Sequence, residues 1–177
     1  MNLLRLGRRG IFPIMNAPLP SAIRFDIKGL AQAITHCQAS DALQCQFSSP
    51  HWDILGAFML PFSLNSGQIL MEQGANDSTL YFIESGSLSA HYEDEKARIR
   101  MALVGPGTVL GEGSFFSQQP RRATVHASTQ CKLWCLTPMR FRELASRHSP
   151  IALELTLALG SVLAKRLCIR PKRAAVT

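Results

Sequence analysis

The chain has 177 residues, 46% of them hydrophobic, which suits one packed domain with extensions and excludes a disordered chain. No apolar run reaches the roughly 20 residues that a membrane-spanning helix needs; the densest stretch, 151–163, is interrupted by Glu154, Thr156, Gly160 and Ser161. The net charge of +7 sits at the two ends, on Arg5, Arg8, Arg9 and Arg24 in residues 1–25 and on Lys165, Arg166, Arg170, Lys172 and Arg173 in residues 165–177, whereas the middle holds 10 basic against 12 acidic residues. That distribution excludes a basic nucleic-acid-reading body and is the pattern of solvated tails, so no sequence-specific DNA binding is expected.

In chain order, residues 1–25 are predicted to be a disordered tail, because Pro13 and Pro18 break the short apolar run that a signal peptide would need. Residues 26–59 are predicted to hold N-terminal helices. Ile27, Leu30, Ala31 and Ile34 recur at helical spacing, and Ser49-Pro50 opens a second helix carrying Trp52, Leu55 and Phe58. Residues 60–136 change texture to short apolar or alternating runs between turn residues. We expect a strand pair around Asn65-Ser66-Gly67, then strands at Thr79–Glu84, Ser87–Glu93 (acidic at its end), Arg98–Val104, Ala123–Ala127 and Cys131–Leu136. This predicts a mainly β, α+β fold built on a small antiparallel β-barrel. Residues 137–170 return to helical spacing in two helices, opened by Thr137-Pro138 and Ser149-Pro150. Apolar residues nearly surround the second, which predicts contact on more than one side and a homodimer or partner seam. Pro171 is the expected stop, and 171–177 a basic tail.

Cys37, Cys45, Cys131, Cys135 and Cys168 have no metal-ligand spacing, so no metal site is expected; an odd cysteine count without a signal peptide points to a reducing, cytoplasmic setting. His36, His51, His91, His126 and His148 are scattered, and no motif joins them to a nucleophile or acid, so no catalytic residue, enzyme activity or cofactor is expected. There is also no glycine-rich loop ending in Gly-Lys-Ser/Thr to bind a nucleoside triphosphate.

One segment carries chemistry. From Gly107 to Val125 it combines Gly111-Glu112-Gly113-Ser114 with Pro120-Arg121-Arg122-Ala123-Thr124-Val125. A glycine-rich turn entering a short helix leaves backbone N–H groups free for an anion. Gly113 and Ser114 are small enough for a ligand to approach the backbone. Arg121 supplies a fork of donors for a phosphate, and Glu112 supplies acceptors for sugar hydroxyls.

This segment resembles the phosphate-binding cassette of cyclic-nucleotide-binding domains, as in protein kinase A regulatory subunits and the sensory half of catabolite-activator-like bacterial regulators. Glu112 and Arg121 are nine residues apart, as in the kinase-type cassette, and the resemblance extends over Leu60–Arg170. Gly67, the run Gln73-Gly74-Ala75-Asn76-Asp77 and the run Tyr81-Phe82-Ile83-Glu84-Ser85-Gly86 fall where that family has turns and strands. The resemblance implies a jelly-roll-like double-stranded β-helix between the N-terminal helices and the two C-terminal helices. It further implies that Glu112 accepts the ribose 2′-hydroxyl, that Arg121 pairs with the cyclic phosphate, and that the N–H groups of Ser114 and Arg122 complete a cradle shaped by Gly111 and Gly113. Two departures bear on the ligand. Gly113 replaces the usual aliphatic residue, and Arg122 stands where cGMP-selective members often carry Thr, which tilts the base toward adenine and the ligand toward cAMP. At the end of the last helix, Arg170 and Pro171 fall at the positions that contact adenine in the bacterial activators, with Ser161 as the nearest polar alternative. Six residues follow Pro171, so no helix-turn-helix DNA-binding domain is expected. The expected function is a stand-alone sensor that passes its signal to a protein effector by repacking its C-terminal helices; the alternative is a vestigial domain acting as an interaction module without a ligand.

Overall fold

The computed structural model describes residues 25–93 and 99–168. The tail expectations for 1–24 and 171–177, the adenine-contact expectation for Arg170 and Pro171, and most of the acidic run after Tyr92 lie outside the described residues. Helices α1 (Ile27–His36) and α2 (Ser49–Phe58) precede strands β1 (Leu60–Leu64), β2 (Ile69–Met71), β3 (Leu80–Ser85), β4 (Leu88–Glu93), β5 (Ile99–Val104) and β6 (Val109–Leu110). Then come α3 (Glu112–Ser117), β7 (Thr124–Ala127), β8 (Cys131–Leu136), α4 (Pro138–Arg147) and α5 (Ser149–Cys168). Local chemistry starts several of these helices. The Asp26 carboxylate accepts from the Lys28 N–H at 3.0 Å ahead of α1, and the Thr137 hydroxyl accepts from the Arg140 N–H at 3.3 Å ahead of α4, with Pro138 in its first turn. Helix α2 already includes Ser49, so Ser48 holds the cap position.

The strands form two four-stranded sheets, in the orders β1-β8-β3-β6 and β2-β7-β4-β5, with antiparallel pairing throughout. The antiparallel, helix-flanked architecture is present, as two sheets rather than one continuous barrel. The expected pair around Asn65-Ser66-Gly67 is not a hairpin. β1 pairs with β8 and β2 with β7, so the turn carries the chain from one sheet to the other. The reason is a long-range contact: the Gly67 N–H donates to the Ala127 carbonyl at 2.7 Å and the Ala127 N–H donates to the Gln68 carbonyl at 2.9 Å, which zips the turn to the end of β7.

In the sheet β1-β8-β3-β6, the strands β8, β3 and β6 are covered on both faces, whereas the edge strand β1 is partly exposed. Along β3, Leu80 and Phe82 pack into the helical core, while Ile83 and the half-buried Tyr81 point toward the second sheet. β8 and β6 divide in the same way: Trp134, Leu136 and Val109 face the helices, and Cys131, Leu133 and Leu110 face the other sheet. A strand covered on both sides reads as a continuous apolar run, which explains the sequence texture of β3 and β8. The helical core is completed by α1, α2, α4 and one face of α5, formed by Ile151, Ala152, Leu155, Ala158, Leu159 and Val162. Ala42 and Leu43, in the connection between α1 and α2, are buried as well. Among the described residues no helix is long and apolar enough to cross a membrane.

Candidate ligand site

The segment 107–125 lies where the chain leaves β6, makes the single short helix α3 and enters β7. Gly111 precedes α3 in the left-handed region, at φ +88°, and a Cβ there would lie 2.5 Å from the Thr79 carbonyl oxygen and 2.3 Å from Arg121 Nη1. Only glycine fits. Gly113 differs: a Cβ there meets nothing within 4 Å, so the open space above the cassette, not internal packing, accommodates the small residue. Glu112 and Ser114 are buried in α3 and Phe115 anchors the helix, its N–H donating to the Gly111 carbonyl at 2.9 Å.

Arg121 is built into the body of the domain, with only 2% of its surface exposed. Its Nε–H donates to Asp77 Oδ2 at 3.1 Å, and Nη2 donates both to the same oxygen and to the Thr79 carbonyl, the latter at 2.7 Å. Nη1 donates to the Gly111 carbonyl at 3.3 Å. A guanidinium has five N–H donors, so one on Nη1 remains without a protein acceptor among the described residues. The main chain holds Arg121 too: its N–H donates to the Ala75 carbonyl at 2.9 Å and its carbonyl accepts from the Gly74 N–H at 2.8 Å. The Tyr81 ring lies 5.6 Å from the guanidinium carbon. Burial works to raise the Asp77 carboxyl, but the Arg121 hydrogen bonds and those from Thr79 overcome it and hold the acid below its ordinary value. Arg122, its neighbour in sequence, points outward and is exposed.

Glu112 is held from the opposite direction. Arg166, near the end of α5, places Nη1 2.6 Å from Glu112 Oε1 and donates from Nε to Asp41 Oδ2, also at 2.6 Å. The Glu112 side chain is 11% exposed and that of Arg166 23%, so the pair is largely shielded from water. Burial works against the charge on Arg166, but the carboxylates of Glu112 and Asp41 more than offset it and hold the guanidinium above its ordinary value.

The structure therefore gathers Gly111, Glu112, Gly113, Ser114 and Arg121 around α3, with the Arg122 side chain directed away. Sequence reasoning missed Asp77, Thr79, Asp41 and Arg166. Arg166 is a correction: grouped by sequence with a solvated basic tail, it lies inside α5 and is mostly buried. Its position carried the signal, since Leu155, Leu159, Val162 and Arg166 follow one another at helical spacing and the first three form the buried face. A charge on that face requires a partner. Ser161, the alternative base contact, is exposed on α5.

A family model for the cyclic nucleotide-binding domain matches residues 61–148. The cAMP-dependent protein kinase regulatory subunit of Eremothecium gossypii is 31% identical over 81 residues, covering 46% of this chain and 17% of that subunit. The cAMP-activated global transcriptional regulator CRP of Salmonella typhimurium is 30% identical over 110 residues, covering 61% of this chain and 50% of that regulator. The chain thus spans half or less of the length of these curated relatives. A solved cyclic nucleotide-binding domain from Methylobacillus flagellatus has the same fold, with a TM-score of 0.70 at 19% identity over 80% of this chain and 78% of that one. The family match takes in both sheets and the whole of the Gly107–Val125 cassette, with Glu112 and Arg121 at its two ends. Through residues 61–148, the chain belongs to the cyclic nucleotide-binding domain family.

Proposed function

We propose that this chain is a cyclic-nucleotide sensor in which the ligand and helix α5 compete for one carboxylate. The observation that carries this reading is the Arg166–Glu112 ion pair at 2.6 Å. A ribose hydroxyl that donates to Glu112 has to share that carboxylate with Arg166 and draws charge density from the ion pair, so in this reading binding and the seat of α5 are linked. The cyclic phosphate is received by the remaining Nη1 donor of Arg121 and by the backbone N–H groups of Ser114 and Arg122, beside the open space at Gly113. cAMP is the favoured ligand, because Arg122 replaces the threonine associated with guanine and both curated relatives are named for cAMP. A ligand shifts the α5 equilibrium only by its differential affinity for the two positions, and competition for Glu112 is one source of that difference.

The output surface is the outer face of α5. Leu153, Leu157, Gly160, Ala164 and Leu167 are exposed and uncharged, and their steps alternate between four and three residues. That is the a/d spacing of a two-stranded coiled coil, with small residues at the centre allowing close approach. The occupant we assign is the same helix of a second copy, with α5 passing the signal on to an effector protein. Leu157→Glu is expected to convert a dimer to a monomer in sedimentation equilibrium.

Calorimetric titration with cAMP, cGMP and cyclic dinucleotides tests the ligand. cAMP is expected to bind, and ligand at 100 times its Kd raises stability by about 2.7 kcal/mol. Absence of heat with any of them, on folded protein, overturns the reading. The pairing of Glu112 with Arg166 and of Arg121 with Asp77 favours a second reading, an interaction module that needs no ligand. The two separate on the thermal shift: a rise with cAMP in the wild type that disappears in Glu112→Gln belongs to the sensor alone.

A further inference from the structure

The connection between α1 and α2, residues 37–48, runs along α5 and touches it at two heights. The Gln46 N–H donates to Glu154 Oε1 at 2.9 Å in the first half of the helix, and Asp41 Oδ2 accepts from Arg166 Nε at 2.6 Å in its last turn. The connection itself is anchored: Ala42 and Leu43 are buried, and Phe47 packs edge-on against Trp52 with ring centroids 5.2 Å apart. Arg166 is bound by two carboxylates that are far apart in sequence, one on this connection and one on the cassette. The third guanidinium nitrogen, Nη2, is buried without an acceptor among the described residues. A buried donor left unmet opposes burial, so the seated position of Arg166 is held by its two ion pairs.

We propose that residues 37–48 form a strap that keeps α5 seated over the cassette, with Asp41 as the positioning residue that locks Arg166 onto Glu112. This rests on the cyclic-nucleotide reading of the cassette and adds its regulation: the N-terminal segment sets how readily the site opens. With Asp41 in place, Arg166 is clamped from both sides and most molecules are closed. Without it, the guanidinium keeps one carboxylate and its unmet donor, and the last turn of α5 lifts more often. Apparent affinity scales with the fraction of molecules that are open. Cys45, in the same strap, is not its trigger: burial and then Glu154 push its thiol up to about 12, which suppresses thiolate chemistry.

The test compares wild type, Asp41→Asn, Asp41→Glu and the control Asp53→Asn, which removes an exposed acid from α2. Two readouts are taken on each: amide hydrogen exchange along α5 without ligand, and the cAMP Kd. Asp41→Asn is expected to speed exchange in the last turns of α5 and tighten cAMP about tenfold, with Asp41→Glu near wild type and Asp53→Asn unchanged. Unchanged exchange in Asp41→Asn, or weaker cAMP binding, overturns the strap, as does an equal effect of Asp53→Asn. Faster α5 exchange in Asp41→Asn with no cAMP heat in any variant supports the strap and overturns the nucleotide reading, so the two ideas fail separately. Should Asp41→Asn not fold, Arg166→Lys replaces it. A single ammonium cannot span both carboxylates, and the same faster exchange is expected.

Discussion

The two ends of the cassette are built on different principles. At Arg121 the cation is almost wholly buried and fixed through side chain and main chain to the 72–79 turn, and among the described residues its hydrogen-bond partners all lie within 61–148. At Glu112 the carboxylate sits on a six-residue helix and is held by Arg166, which lies beyond the family match on the terminal helix. One end is a fixture; the other is the contact that the proposed sensor would exchange. A sensor needs both kinds, a rigid half to define the ligand and a half whose partner can be displaced to report it.

The comparison can be broken most severely at the fixed end. Arg121→Ala removes a buried cation and leaves Asp77 without its partner, and is expected to cost about 3 kcal/mol in urea unfolding. Loss of less than about 1 kcal/mol would show that the enclosure of Arg121 is not structural. Gly111→Ala comes next, at about 2 kcal/mol, because its left-handed φ and the 2.5 Å approach to the Thr79 carbonyl leave no room for a Cβ. The pH dependence of the same network sharpens the point. Asp77 titrates below its unfolded value of about 3.9, so its contribution is present above that pH and disappears as pH falls through the folded pKa. Unfolding midpoints measured from about pH 6 to about pH 2 are expected to fall more steeply below about pH 4 in wild type than in Asp77→Asn. The smallest effect is at Gly113: Gly113→Ala meets no atom within 4 Å and is expected to change stability by less than about 1 kcal/mol. A large loss there would mean that the space above the cassette is closed by something else.

Much of this was legible in the sequence, for identifiable reasons. The helix start at Thr137-Pro138 follows from side-chain capping, a local interaction. The order of cassette residues from Gly107 to Val125 was legible because a backbone turn and its charged neighbours lie in one continuous segment. The turn at Asn65-Ser66-Gly67 was legible as a turn but not as a crossing between sheets, since its partners on β7 lie about sixty residues away in the chain. Arg166 was misread for the converse reason: a run of basic residues looks like a tail when charge is counted along the chain, and only the spacing from Leu155 places it on the buried face.

Local spacing and one contiguous motif are enough to encode an architecture of antiparallel strands with flanking helices, the family, and the identity of the two charged groups of the cassette. Which partners those groups have is a matter of three-dimensional packing. Arg121 meets Asp77 and Thr79 across 44 and 42 positions of chain, and Arg166 meets Asp41 across 125. Pairing of charges at such separations is set by how the sheets and helices pack, and a motif that ends at Val125 carries no information about a helix that returns to it forty residues later.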